Sequence, residues 1–448
     1  MSDSIKSNIT LSGFHFDQVD PKPAVLDAAQ IHFQKILAVN PGLASILQSI
    51  TLSRESVSLS SPLGDLTGFT NPTDPSQPMV FAGNGFNTIF RPQSPKSPTQ
   101  LPFPVPASDN VLELNLTAET LSFSAPLGNV PNRGFGNQPD IFLNGVPYVQ
   151  TVNDITSGTA VGIHFEPGIW LAVPPTTIPA EAATTYARMA SIPHGVTINA
   201  QGISLGRISG PPPIGPVNIN PFPIGGAQKP STPGNRFFPN QDVTQQQTAR
   251  IPQDLTSFVA ANTITQAMLD DPNIVLRNHL AGLNVESFVT LVITTDPSGK
   301  RPTPPPNPTT PPAPPVTKAP GIGGGTGEIG FLVGDGNAPP TNPNADAFKM
   351  TAIFWIEKIR QSLVVPPCKA NGLPILIQPP AISGHPFRPT FTLTPTVDIT
   401  ADKTIEVSYT QIQYSQTVFL NFGPLTWPHV SVATLIPASP IVVPPSVW

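Results

Sequence analysis

The sequence predicts a mainly β protein built as an antiparallel barrel or sandwich, on three observations. Apolar and polar residues alternate in many strand-length runs. Those runs follow one another along the chain, with helical patterns confined to the N-terminus and a few intervening stretches. The punctuation between them is heavy: 61 Pro and 34 Gly in 448 residues, about a fifth of the chain. That share lies below the roughly 25–30% at which composition alone signals disorder. The prolines therefore read as turns and long loops of a folded protein.

In chain order, residues 23–50 carry the clearest helical pattern, with Val25, Leu26, Ala29, Phe33, Ile36 and Leu37 at three- and four-residue spacing and Asn40-Pro41-Gly42 as a stop. Residues 111–123 alternate Leu112, Leu114 and Leu116 against Glu113, Asn115 and Thr117, the period of a strand. Further strands are expected at 161–173, 195–205, 286–295, 404–422 and 429–436. Residues 254–282 and 346–364 are expected as helices, although Thr351–Ile356 fits a strand equally well. Residues 210–240 and 300–345 are too rich in Pro and Gly for a ladder. The expected organisation is a helical extension over 1–60 and one domain over 61–448, interrupted by insertions at about 206–250 and 296–345.

Composition excludes several classes. The net charge is −5, only 11% of residues are charged, and Lys and Arg nowhere cluster, so no nucleic-acid partner is expected. No 18-residue apolar run occurs, and the N-terminus lacks a basic stretch followed by an apolar one. Neither a transmembrane segment nor a secretory signal is expected, which implies a cytoplasmic protein. The single cysteine, Cys368, rules out an internal disulfide framework and multi-cysteine metal sites.

Five motifs bear on chemistry. Gly202-Ile203-Ser204-Leu205-Gly206 has the spacing of a hydrolase nucleophile elbow, but the Pro-rich continuation cannot start the helix that an elbow needs. The glycine-rich stretch 321–336 lacks the Lys and Ser or Thr of a phosphate loop. His164 and Glu166 stand at i and i+2, so a strand places both on one face, where they form a satisfied buried pair or line a polar pocket. His194, between Pro193 and Gly195, belongs to a turn. His429 opens the last strand and shares a face with Ser431 and Ala433, small residues that leave room beside the imidazole. A haem requires only one such protein ligand.

The segments HFEPGIW (164–170), HGVTINAQG (194–202) and PHVSVATL (428–435), in that order, resemble the nitrobindin family of haem-binding, calycin-like barrels. LGDLTGF (63–69) and FAGNGFNTIFRP (81–92) are similar to that family's opening. The match covers roughly 63–205 and 404–437. The resemblance implies a calycin-like antiparallel barrel holding haem b, with His429 as axial ligand to the iron and His164, Phe419 and Ile192 lining the pocket. It also implies nitric oxide binding or peroxynitrite isomerisation on ferric haem. A His or Arg on the distal side would favour peroxide chemistry, and His164 and Arg188 are the candidates.

The expected function is therefore a haem-binding barrel that binds or converts a small ligand such as nitric oxide, peroxynitrite or peroxide. Two alternatives stand beside it. One is a non-enzymatic barrel for a lipophilic small molecule. The other is a structural or interaction protein that offers the Pro-rich segment 301–320 to a partner. Homo-oligomerisation is left open by the sequence.

Overall fold

The structure is a computed structural model. It describes residues 62–93, 109–178, 180–229, 238–295, 323–328, 345–382, 385, 387–423 and 425–448. The expected helix at 23–50 and the Pro-rich segment 301–320 lie outside the described residues.

Ten antiparallel strands form a closed barrel. They are β1 (Met79–Gln93), β2 (Asp109–Phe123), β3 (Ile141–Asp154), β4 (Val161–Val173), β5 (Thr185–Ile192), β6 (Val196–Ser209), β7 (Asn284–Thr294), β8 (Asp346–Val365), β9 (Lys403–Phe422) and β10 (Leu425–Pro437). Each pairs with its neighbours in sequence order. The first and last close the ring in a register running from Phe81 opposite Pro437 to Thr88 opposite Val430. Closure leaves no long unpaired edge.

Within each strand one parity faces the lumen. On β2 this inverts the simple expectation for a half-exposed sheet. Leu112 and Leu114 point away from the lumen, while Asn115, Thr117 and Glu119 face it. The leucines are nevertheless buried, because residues 210–229 and 238–283 leave the barrel after β6 and wrap its outer wall. Three short helices, α1 (Thr256–Ala260), α2 (Gln266–Asp270) and α3 (Ile274–Leu280), lie in this wrap. Ile251, Leu255, Ile264, Leu269 and Leu276 from it pack with Phe90, Leu112, Phe288, Trp355 and Val432 of the barrel wall. The first insertion is thus longer than the expected 206–250, and it completes a second apolar core outside the barrel.

Residues 346–365 are one 20-residue strand, not a helix. The reason is burial on both faces: Ala352, Phe354 and Ile356 fill the lumen while Ile353 and Trp355 lie under the wrap. A strand apolar on both faces loses its period-2 signature. A third cluster forms where a small sheet of Ile375–Ile377, Phe391–Leu393 and Ile441–Val442 covers the outer ends of β8 and β9. Of the second insertion, Gly325–Glu328 forms a short strand on Val196–Asn199 of β6.

One end of the lumen is plugged. A 3-10 helix, Gly64–Phe69, inserts fully buried Leu66 and Phe69 among the lumen residues. Phe69 stacks on Phe123 at 4.5 Å and lies 5.5 Å from Trp170. A side chain at Gly68 would come within 2.4 Å of Ile356, so the plug seats only with glycine there. Among the described residues no helix is long and apolar enough to cross a membrane.

Candidate functional site at the half-open end of the barrel

The register of β9 on β10 sets the layers of the lumen. Tyr414 lies opposite Ala433, Gln416 opposite Ser431, and Val418 opposite His429. Moving from the plug toward the other end, the lumen therefore passes from aromatic residues through a polar layer to an imidazole layer.

The polar layer spans the barrel. Arg188 on β5 donates from Nη2 to Glu166 on β4 (2.6 Å), from Nε to the Tyr148 hydroxyl (2.7 Å) and from Nη1 to Gln416 on β9 (2.7 Å). Tyr148 also donates to Glu166. Gln150 on β3 donates to the Tyr414 hydroxyl at 3.0 Å, and Tyr414 donates to Glu119 at 2.5 Å. The guanidinium carbon sits 5.3–5.9 Å from the ring centres of Phe354, Tyr148 and Trp170, so its faces meet aromatic clouds and its edges meet acceptors. Burial alone would push Glu166 up, but the Arg188 charge and the hydrogen bonds from His164 and Tyr148 hold it at about 2. Glu119 has no such cation; burial pushes it above the ordinary carboxylate value against the hydrogen bonds from Tyr414, Thr117 and Gln150.

Above this layer, His164 Nε2 lies 3.1 Å from the second oxygen of Glu166. The carboxylate accepts, so His164 presents Nε2–H to it and keeps Nδ1 as the free acceptor when neutral. The ring is 22% exposed, and is thus reachable from the open end.

His429 takes the opposite tautomer. Asn87 Nδ2 stands 2.6 Å from its Nε2 and 2.7 Å from the Ser431 hydroxyl. An amide nitrogen only donates, so Nε2 of His429 carries a lone pair. Burial, together with the nearby His164 and His194, pushes His429 down to about 3. His194, in the turn between β5 and β6, is also lowered, by burial and then by His164. Three imidazoles thus share one end of the lumen. The half-buried Ile192 and Val418 sit beside them on the interior cluster.

The structure brings His429, His164 and Ile192 together at this end. It does not place Phe419 with them. Val418 shares the face of His429, so Phe419, one residue on, points outward, where it meets Phe222 at 6.0 Å and Phe348 at 6.2 Å. Arg188 is committed to Glu166 and Tyr148 and is not a free distal group. Ser204 lies inside strand β6 and donates to Asp65 of the plug, so no nucleophile elbow forms. Tyr148, Gln150, Tyr414 and Glu119 carried no motif; only barrel closure gathers them.

The donor chemistry at this end fits a haem ligand in one respect, a neutral imidazole whose Nε2 lone pair meets only the Asn87 amide; Ser431 and Ala433 lie deeper, level with Gln416 and Tyr414. The polar layer fills the lumen immediately below, so a group held by His429 belongs at the half-open end and not at the barrel centre. Among the described residues no three His, Cys, Asp or Glu side chains converge as ligands for a bare metal ion. No protein-family model, no curated protein and no solved structure matches this chain.

Proposed function

We propose that the half-open end of the barrel is a haem site, in which His429 would hold the iron and His164 and Ile192 would line the space beside the group. The observation that carries this reading is the state of His429: half-buried, held neutral, and offering Nε2 to nothing stronger than the amide of Asn87. A metal ligand must be unprotonated, and burial already supplies that condition. Ligation would cost Asn87 one hydrogen bond while leaving its bond to Ser431.

A bound ferric haem would supply a coordination position for a diatomic or peroxidic ligand. The chain's own part is positioning. Glu166 orients His164, and Arg188 and Tyr148 orient Glu166, which leaves Nδ1 as the acceptor of the His164 ring. Binding of nitric oxide, peroxynitrite or peroxide is the corresponding ligand class.

The alternative of a lipophile within the lumen is less well supported, since the plug and the aromatic and polar layers occupy that volume. Titration of the purified chain with haemin, followed in the Soret region, tests the proposal. One saturable equivalent is expected, with at least a tenfold weaker complex for His429→Ala; absence of any saturable complex would reject it.

A further inference from the structure

On the outer wall of the barrel, remote from the imidazole layer, the first insertion and the segment that joins β8 to β9 bring two more histidines together. His279 comes from helix α3 and His385 from the loop before Phe391–Leu393; their ring centres are 4.6 Å apart with planes inclined by 56°. Both rings are held from behind. His385 Nε2 lies 2.9 Å from the carbonyl of Ala281, which can only accept, so this nitrogen bears the proton. Gln411 donates from Nε2 to the buried Glu357 at 2.7 Å, which turns its Oε1 toward His279 Nε2 at 3.3 Å. His279 therefore also spends its Nε2–H outward.

The same acceptor is left on each ring. Neither Nδ1 has a hydrogen-bond partner among the described residues, and both rings line one small cavity of about 10 Å³, with Tyr409, Gln361 and Ile382 in its wall. That is roughly the space of one water molecule or ion. Two imidazoles bound to one ion through nitrogens at ~2.1 Å bring their ring centres to roughly 5 Å, close to the separation found. The outward Nε2–H bonds, one to a backbone carbonyl and one to the side-chain carbonyl of Gln411, hold the two rings in place as the outer hydrogen bonds of ligating histidines do. The one cation in the wall, Arg388, donates to the Pro379 carbonyl at 3.1 Å.

We infer that His279 and His385 form a site for a divalent transition-metal ion of the zinc or nickel class, bound through their Nδ1 atoms and completed by water. Imidazole suits these ions, whereas calcium and magnesium prefer oxygen ligands. Such an ion ties His385 to helix α3, fastening the β8–β9 connection to the first insertion.

The test is calorimetric titration of the full chain with zinc chloride and nickel chloride, with circular dichroism of each variant to confirm folding. The expected result is one equivalent bound by the wild type. Binding should be at least tenfold weaker in both His279→Ala and His385→Gln, and unchanged in His429→Ala, which separates this site from the half-open end. His385→Gln keeps a donor for the Ala281 carbonyl, so it tests the ligand without emptying the loop. Equal binding by the wild type and both variants, loss of binding only in His429→Ala, or no binding by the wild type would overturn the inference.

Discussion

Arg188 and Glu166 meet at 2.6 Å inside the barrel with only 1% and 0% of their side chains exposed. The pair joins neighbouring strands and, through Tyr148 and Gln416, ties β3 to β9 across the lumen. Removing the cation alone strands a carboxylate in a dry interior. Arg188→Met is therefore expected to cost about 3–5 kcal/mol of unfolding free energy, and Arg188→Met with Glu166→Gln to recover much of it. Urea denaturation of the two variants beside the wild type reads this directly. A single variant as stable as the wild type would show that the pair is not what holds the layer.

His429 gives the protein a second dependence on this region, through pH. Its value is near 3 in the fold against 6.5 in the unfolded chain, so the folded form binds fewer protons between those limits. Stability from this group is complete above pH 6.5 and is lost as pH falls toward 3. Stability curves for wild type and His429→Gln should separate at neutral pH and converge on acidification; parallel curves would contradict the assignment.

Glu357 acts in the opposite sense. Burial raises it to about 8 from 4.5, with only the hydrogen bond from Gln411 opposing, so the folded form holds a proton that the unfolded chain has released. Its contribution is present below pH 4.5 and disappears as pH rises toward 8. Glu357→Gln should therefore gain on the wild type steadily between pH 5 and 8. A constant difference across that range would place the proton elsewhere.

Gly168 follows Glu166 on the same face of β4, and a methyl group there would come within 2.6 Å of the Met189 carbonyl and 2.7 Å of the Tyr148 ring. Gly168→Ala should displace Tyr148 from Glu166 and Arg188 and cost about 1–3 kcal/mol, typical of overpacking. Thermal unfolding measures the loss. A neutral substitution would mean that the β4–β5 pairing relaxes without disturbing the polar layer.

What the sequence made legible follows from which faces are covered. Strands β2, β4, β6, β7, β9 and β10 were readable because their residues alternate or are bounded by turns. Strand β8 fits a helical pattern over 346–364 and a strand over Thr351–Ile356 equally well, because Phe354 faces the lumen while Trp355 lies under the wrap, so both parities are apolar. Strands β3 and β5 are not among the expected strands, and β1 shows only through the resemblance of 81–92 to a family opening, since Gly83 and Gly85 stand on its lumen face, where the Thr434 and Val432 carbonyls of β10 approach too closely for a side chain.

The site divides in the same way. His164 with Glu166, and His429 with Ser431, are i and i+2 pairs, so strand geometry alone put each pair on one face. Arg188, Tyr148, Gln150, Tyr414 and Glu119 come from four strands and meet only when the barrel closes. Phe419 was misplaced by one residue of parity, which in a strand is the difference between lumen and outer wall.

Ligation by His429 at the half-open end is tested by the absorption spectrum of the ferric haemin complex of His429→Gly, recorded without and with added imidazole beside the wild type. The account predicts a Soret band that is lost or shifted in the variant and restored toward the wild-type position when imidazole fills the vacated place. A variant spectrum identical to that of the wild type, with no response to imidazole, would show that His429 does not hold the iron.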